Sequence, residues 1–150
     1  NITAGNIDIS STSGSVRAEN LNADNIEARS VSGSVKVETS QCTEADIGST
    51  SGSVLFSGRA DELSLTSTSG SVKAYLDAML KKDSRFKSMS GSVRVTLPDN
   101  EGFTMKYSSM SGSVSNRFTG LRAEKSGTNT YKNGGITLTL ESMSGSVSID

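Results

Sequence analysis

Histidine and tryptophan are absent from this 150-residue chain, and cysteine and proline each occur once. Without histidine the commonest general base is missing, and Ser/His and Cys/His nucleophile pairs are excluded. The single cysteine, Cys42, permits no intrachain disulfide and so identifies no redox compartment. Three Tyr and four Phe make a poor stacking platform for bases. Fifteen basic and sixteen acidic residues are interspersed, so no basic tract points to nucleic acid or an anionic membrane. No run approaches the ~18 apolar residues of a spanning helix, so no direct membrane insertion is expected in this segment. The chain opens at Asn1 with neither an initiator Met nor a charged-then-apolar leader, which reads as an excised or processed segment.

Hydrophobic residues make up only 33% of the chain, but its net charge is −1. Disorder needs strong charge as well as low hydrophobicity, so an ordered single domain over 1–150 is expected if the apolar residues are placed efficiently.

What the chain has is one phrase, Ser-x-Ser-Gly-Ser-Val, seven times. Its glycines are Gly14, Gly33, Gly52, Gly70, Gly91, Gly112 and Gly145, at intervals of 19, 19, 18, 21, 21 and 33 residues. Self-similarity at this period signals stacked repeats. With position zero as the serine before each glycine, position −4 holds Ile9, Ala28, Ile47, Leu65, Phe86, Tyr107 and Leu140. Position −6 is also mainly apolar, and position +3 is Val in every copy. The positions between are polar. This period-2 alternation predicts a half-buried strand on each side of the glycine. Inward positions are even before the glycine and odd after it, so the chain must bend there, and glycine tolerates the backbone of such a corner.

Each coil is too small to bury its own apolar face, so the coils must stack, with their strands pairing in parallel. The fold expected is all-β: a parallel β-helix or β-solenoid of about seven coils. The segment 73–83 has a weak helical pattern and overlaps a repeat strand. The serines at −2 and at zero both have inward parity, which predicts buried hydroxyls bonded to nearby backbone or to the adjacent coil.

Breaks in the pattern mark candidate sites. The long last interval contains an insertion, 117–135, in which Asn133-Gly134 predicts a hairpin between TNTYK and ITLTL covering or extending the C-terminal end. Position −1 has outward parity and changes from Thr12, Val31, Thr50 and Thr68 to Met89, Met110 and Met143, an apolar stripe beside the corner. The candidate interaction surface is therefore Met89, Met110 and Met143 with Arg117, Phe118, Leu121, Arg122 and Tyr131 of the insertion. Asp8, Glu27 and Asp46 at −5 form an acidic ladder that could share calcium. It has Arg29 beside it and gives way to Arg85 and Lys106, so a solvated, partly paired face is expected. No catalytic, cofactor-binding or metal residues are assigned, no cofactor is expected, and Cys42 is expected to be a small packed thiol.

The recurring phrase, carried by Ser13-Gly14-Ser15-Val16 and its six copies, resembles a bacterial adhesin domain family of unknown function built from glycine-centred β-strand repeats. The C-terminal GGITLTLESMSGSVSID looks most like the closing segment of that family. One departure is that Ser follows the glycine every time and Asp never does, which weakens any acidic site at the corner. The resemblance implies a right-handed β-helix, a cell-envelope or extracellular location, and an unidentified protein or glycan partner at the cell surface. Two alternatives come from other classes: a self-assembling scaffold stacking end to end, as bactofilins do, and a carbohydrate-active β-helix enzyme.

Overall fold

The computed structural model describes residues 2–123 and 125–150. Every element among them is a strand. In chain order these are β1 (Ile2–Ser13), β2 (Val16–Ser32), β3 (Val35–Ser51), β4 (Val54–Gly58), β5 (Ala60–Ser69), β6 (Val72–Leu76) and β7 (Ser84–Ser90). Then follow β8 (Val93–Thr96), β9 (Gly102–Ser111), β10 (Val114–Asn116), β11 (Leu121–Ala123), β12 (Gly127–Lys132), β13 (Thr137–Ser144) and β14 (Val147–Ile149). The weak helical pattern of 73–83 forms no helix; the chain leaves β6 at Leu76 and crosses to β7 through bends.

The alternation translates directly into packing. All seven valines after the glycines are buried, and each lies opposite the valine of the next level. Position +5 is buried in every copy, and Ala28, Ile47, Leu65, Phe86 and Leu140 at −4 face it across the core. On the far side of each coil Leu21, Ala23, Cys42, Ala60, Leu80 and Leu97 close the interior. Neighbouring levels sit about 4.8 Å apart, so each aliphatic row makes continuous van der Waals contact along the axis.

At the corner the levels touch through backbone. The N–H of Gly33 donates to Ser51 O at 3.0 Å, and the same bond recurs from Gly14 to Ser32 and from Gly52 to Ser69. A Cβ at Gly33 would lie 2.3 Å from the Gly14 carbonyl oxygen, and a Cβ at Gly52 would lie 2.4 Å from that of Gly33. The close approach of one level to the next therefore requires glycine at both positions, and at Gly33 a φ of 147° adds to the requirement.

The two serine columns separate. At −2, Ser30, Ser49, Ser67, Ser88, Ser109 and Ser142 are buried, and each Oγ donates to the glycine carbonyl of the neighbouring level at 2.7–3.1 Å. At position zero the serines are exposed, contrary to their inward parity. The chain leaves the wall immediately after −2, so positions −1 to +2 all lie on the outside of the corner and the count resumes inward at the valine. No buried side-chain nitrogen or oxygen among the described residues lacks a partner.

About five turns of the solenoid wind in chain order, rather than seven successive coils. The copies centred on Gly14, Gly33, Gly52, Gly70 and Gly91 stack in chain order. Then β9 and β10 pass over one level, and β13 and β14 return to fill it, pairing in parallel with β7 and β8 on one side and β9 and β10 on the other. The levels therefore run Gly14, Gly33, Gly52, Gly70, Gly91, Gly145, Gly112.

Side-chain chemistry explains this order. The inserted level carries Leu138, Leu140 and Ile149, all fully buried between two neighbours. The terminal level carries Tyr107, which is only half-buried, and Asn116. The Asn116 amide needs partners, and it finds them only at the end, donating to Asn129 Oδ1 at 2.9 Å and accepting from Phe118 N–H at 3.0 Å. Burying one more large aliphatic residue gains about 1.5–3 kcal/mol, whereas an unpartnered buried amide costs about 1–3 kcal/mol, so both effects favour the interleaved order.

The expected hairpin across Asn133-Gly134 does not form. Instead β12 runs antiparallel to β9 and β11 antiparallel to β10, and ITLTL enters the stack as β13. TNTYK and ITLTL each find a longer, better buried partner in β9 than they would in one another. The Asn133-Gly134 turn survives locally, with Gly134 N–H donating to Tyr131 O at 3.1 Å.

Two pairs of substitutions test these contacts by urea unfolding. Gly52 does not have a left-handed φ, so Gly52→Ala isolates the steric contact with Gly33 and is expected to cost about 2–3 kcal/mol. By contrast Gly48→Thr, where a Cβ meets only Thr66 O at 3.8 Å, is expected to be neutral or to stabilise by up to about 1 kcal/mol. Ser67→Ala removes the 2.8 Å bond to Gly52 O and is expected to cost about 1–2 kcal/mol, while Ser69→Ala in the exposed column should stay within about 0.5 kcal/mol. Equal losses at Ser67 and Ser69 would remove the distinction between the columns.

Candidate functional site

The side wall formed by β1, the later halves of β2 and β3, and then β5, β7, β13 and β9 presents three outward columns to solvent. Because register is continuous, each column can be read level by level. Position −1 runs Thr12, Val31, Thr50, Thr68, Met89, Met143 and Met110. Val31 is 54% exposed, and the methionines are 42%, 44% and 76% exposed in that order. The return of β13 places Met143 between Met89 and Met110, so the stripe is contiguous and forms a flexible apolar ridge.

Position −3 runs Ser10, Arg29, Gly48, Thr66, Lys87, Glu141 and Ser108. Gly48 has no side chain, so it leaves a notch between Arg29 and Thr66. With Thr12, Val31, Thr50 and Thr68 this notch forms an open groove of about 560 Å³ over the first four levels. The groove and the ridge occupy opposite halves of one face.

Position −5 runs Asp8, Glu27, Asp46, Ser64, Arg85, Thr139 and Lys106. The face is thus acidic at the N-terminal half and basic at the C-terminal half. Within the acidic half, Arg29 Nε donates to Glu27 Oε1 at 2.6 Å and Arg29 Nη2 to Asp46 Oδ2 at 2.9 Å. The hydrogen bond to Glu27 and the charge of Asp46 raise the Arg29 pKa above its ordinary value. Among the described residues no group of three or more His, Cys, Asp or Glu is arranged to hold a metal ion. Farther along, Lys87 pairs with Glu141 at 3.5 Å.

The insertion residues occupy a different place. Phe118 and Tyr131 pack with Phe103 at centroid separations of 5.5, 5.6 and 5.1 Å, closing the end of the core beneath β11 and β12. Leu121 is half-buried opposite Asn116, and of the five candidate residues in the insertion Arg117 and Arg122 are the exposed ones. The eight residues singled out from the sequence therefore divide into a side-wall ridge of three methionines and an end cap of five. Sequence reasoning missed the groove, because a single glycine at −3 shows as a notch only when its neighbours in adjacent levels are known.

Cys42 is buried at 2% exposure, and its thiol makes a long contact of 3.5 Å with Arg59 O. Burial pushes its pKa up to about 11.

The Toastrack DUF4097 family profile matches residues 1–150. The chain belongs to this family. Toastrack DUF4097 is a domain of unknown function, and adhesion is no part of its description. No curated protein and no solved structure matches the chain. In this Toastrack domain the glycine corners and valine rows set the fold, and the ridge, groove and charge gradient lie on its outer surface.

A thiol held protonated and buried should be inert. Cys42 is expected to react with a disulfide reagent at pH 8 at least ~100-fold more slowly in the native chain than in urea-unfolded chain. Comparable rates in the two states would remove Cys42 from the core.

Proposed function

We propose that this Toastrack domain is a non-enzymatic interaction module of a bacterial cell-envelope or secreted protein, of adhesin type, that binds through its side wall. The observation that carries this reading is the methionine ridge: three large apolar side chains exposed in consecutive levels, among columns whose other members, Val31 and Gly48 apart, are hydroxyl-bearing or charged. Scattered exposed apolar residues are ordinary, but aligned ones mark contact surfaces. Methionine suits this role, since its unbranched thioether adapts to different partners.

The side wall is favoured over the ends. At the C-terminal end β11 and β12 lie across the last level, so a second coil would meet an antiparallel cap rather than an open parallel edge. This weighs against the end-to-end scaffold. The enzyme alternative gains little from the acidic half, where Arg29 engages both Glu27 and Asp46 on an open face.

The test is binding of the labelled domain to a glycan array and to intact bacterial envelope preparations. A parallel measurement uses the Met89→Thr, Met110→Thr, Met143→Thr triple variant, which restores the threonine of the earlier copies. Binding that falls at least ~10-fold in the triple variant supports the ridge as the contact surface. Binding unchanged by the substitutions, or no binding to either target, would sink this reading.

A further inference from the structure

The three outward columns have a self-complementarity that no single column reveals. A two-fold axis lying in the plane of the side wall and parallel to its strands would reverse the order of the levels and keep each column over itself. Level one of one copy would then face level seven of the other, two would face six, three would face five, and level four would face itself.

At −5 this sets Asp8 against Lys106 and Asp46 against Arg85 of the second copy. At −3 it sets Arg29 against Glu141, and Lys87 against the open notch at Gly48. At −1, Thr12, Val31 and Thr50 receive Met110, Met143 and Met89, so the ridge of each copy enters the groove of the other. The level on the axis carries Ser64, Thr66 and Thr68, which are small and neutral. Toward position −7 like charges meet, Glu44 against Asp83 and Glu62 against its own copy beside Lys82, so the contact is centred on positions −5 to −1.

We infer that the side wall is an isologous docking surface for a second copy of this chain, joined with solenoid axes antiparallel, ridge into groove and acidic half against basic half. The inference deepens the proposed function and rests on its reading of the ridge as a contact surface. The interleaved topology is essential to it. If the last two copies stacked in chain order, Glu141 would face Ser10 and Arg29 would face Ser108. The area is about 30 Å by 16 Å, on the order of 500 Å² per copy, which places the dimer in the weak, transient class. Its charge pairs should strengthen as salt is lowered.

Sedimentation velocity of the full chain over about 1–500 µM, at low and physiological salt, measures the association. The expected result is a concentration-dependent dimer. Arg29→Glu and Glu141→Arg should each weaken it at least ~10-fold, and an equimolar mixture of the two variants should restore it to within about threefold, because each contact is then opposite in sign again. Within one chain these residues are four levels, about 19 Å, apart, so rescue cannot arise intramolecularly. Both are surface residues, and circular dichroism with thermal unfolding verifies the fold of each variant. Asp46→Lys with Arg85→Glu provides the same test at a second pair.

A chain that is monomeric throughout overturns the proposal. So does a dimer indifferent to both substitutions, or one whose loss is not rescued by mixing. A monomer that still binds envelope or glycan through the methionines would defeat the dimer and leave the interaction module standing. Charge-swap rescue with no such binding would do the reverse.

Discussion

At the glycine corner each level of the stack comes into close backbone contact with the next, and the rest of the molecule takes its register from that approach. The space between a glycine and the glycine carbonyl of the adjacent level admits no Cβ, and the −2 serine reaches the same carbonyl from the side. Steric exclusion fixes the spacing and the hydroxyl fixes the direction, so a slip of one residue would lose both at every level at once. With the corners aligned, the valine rows and the −4 row fall opposite one another without further instruction. The chain thus builds a core from few apolar residues, because each is used in a continuous row and shared between two levels.

The order of the levels has a different origin. The three last copies share the phrase SMSGSV, so the corner itself cannot distinguish them. What distinguishes them is the flanking chemistry: a copy with Leu138, Leu140 and Ile149 gains most from neighbours on both sides, and a copy with Tyr107 and Asn116 is served better at the end. The connecting segment is long enough to let the chain run past and return. On the way it lays β11 and β12 antiparallel over the terminal level and closes the core with Phe118 and Tyr131. Among the described residues no strand covers the first level in this way. There β1 pairs only with β2, and Ser11, lacking a glycine carbonyl beneath it, turns to Ser13 O.

This arrangement shapes the outer surface as much as the core. The return of the last copy makes three separated methionines contiguous and sets Glu141 in the sixth level, while Gly48 and the small hydroxyl residues leave the opposite half of the wall recessed. A linear stack turns sequence differences between copies into gradients along an axis. The acid-to-base change at −5 is one such gradient, and a surface with a gradient is complementary to its own reverse.

From the sequence by itself followed the all-β solenoid, the inward valine and −4 rows, the corner glycines, the outward methionines and the packed state of Cys42. These are local consequences of period-2 alternation and of residue size, repeated often enough to be unambiguous. Only the tertiary structure decided that position-zero serines face outward, that β12 pairs with β9 rather than with ITLTL, and that the seventh copy lies between the fifth and sixth. The physical reason is the same in each case. Parity, turn propensity and phrase identity are properties of one segment, whereas the choice among equivalent partners depends on how much apolar surface and how many hydrogen bonds each whole arrangement satisfies. The methionine ridge was legible as a column; the groove that matches it was not, because it consists of side chains that are small or missing on neighbouring levels.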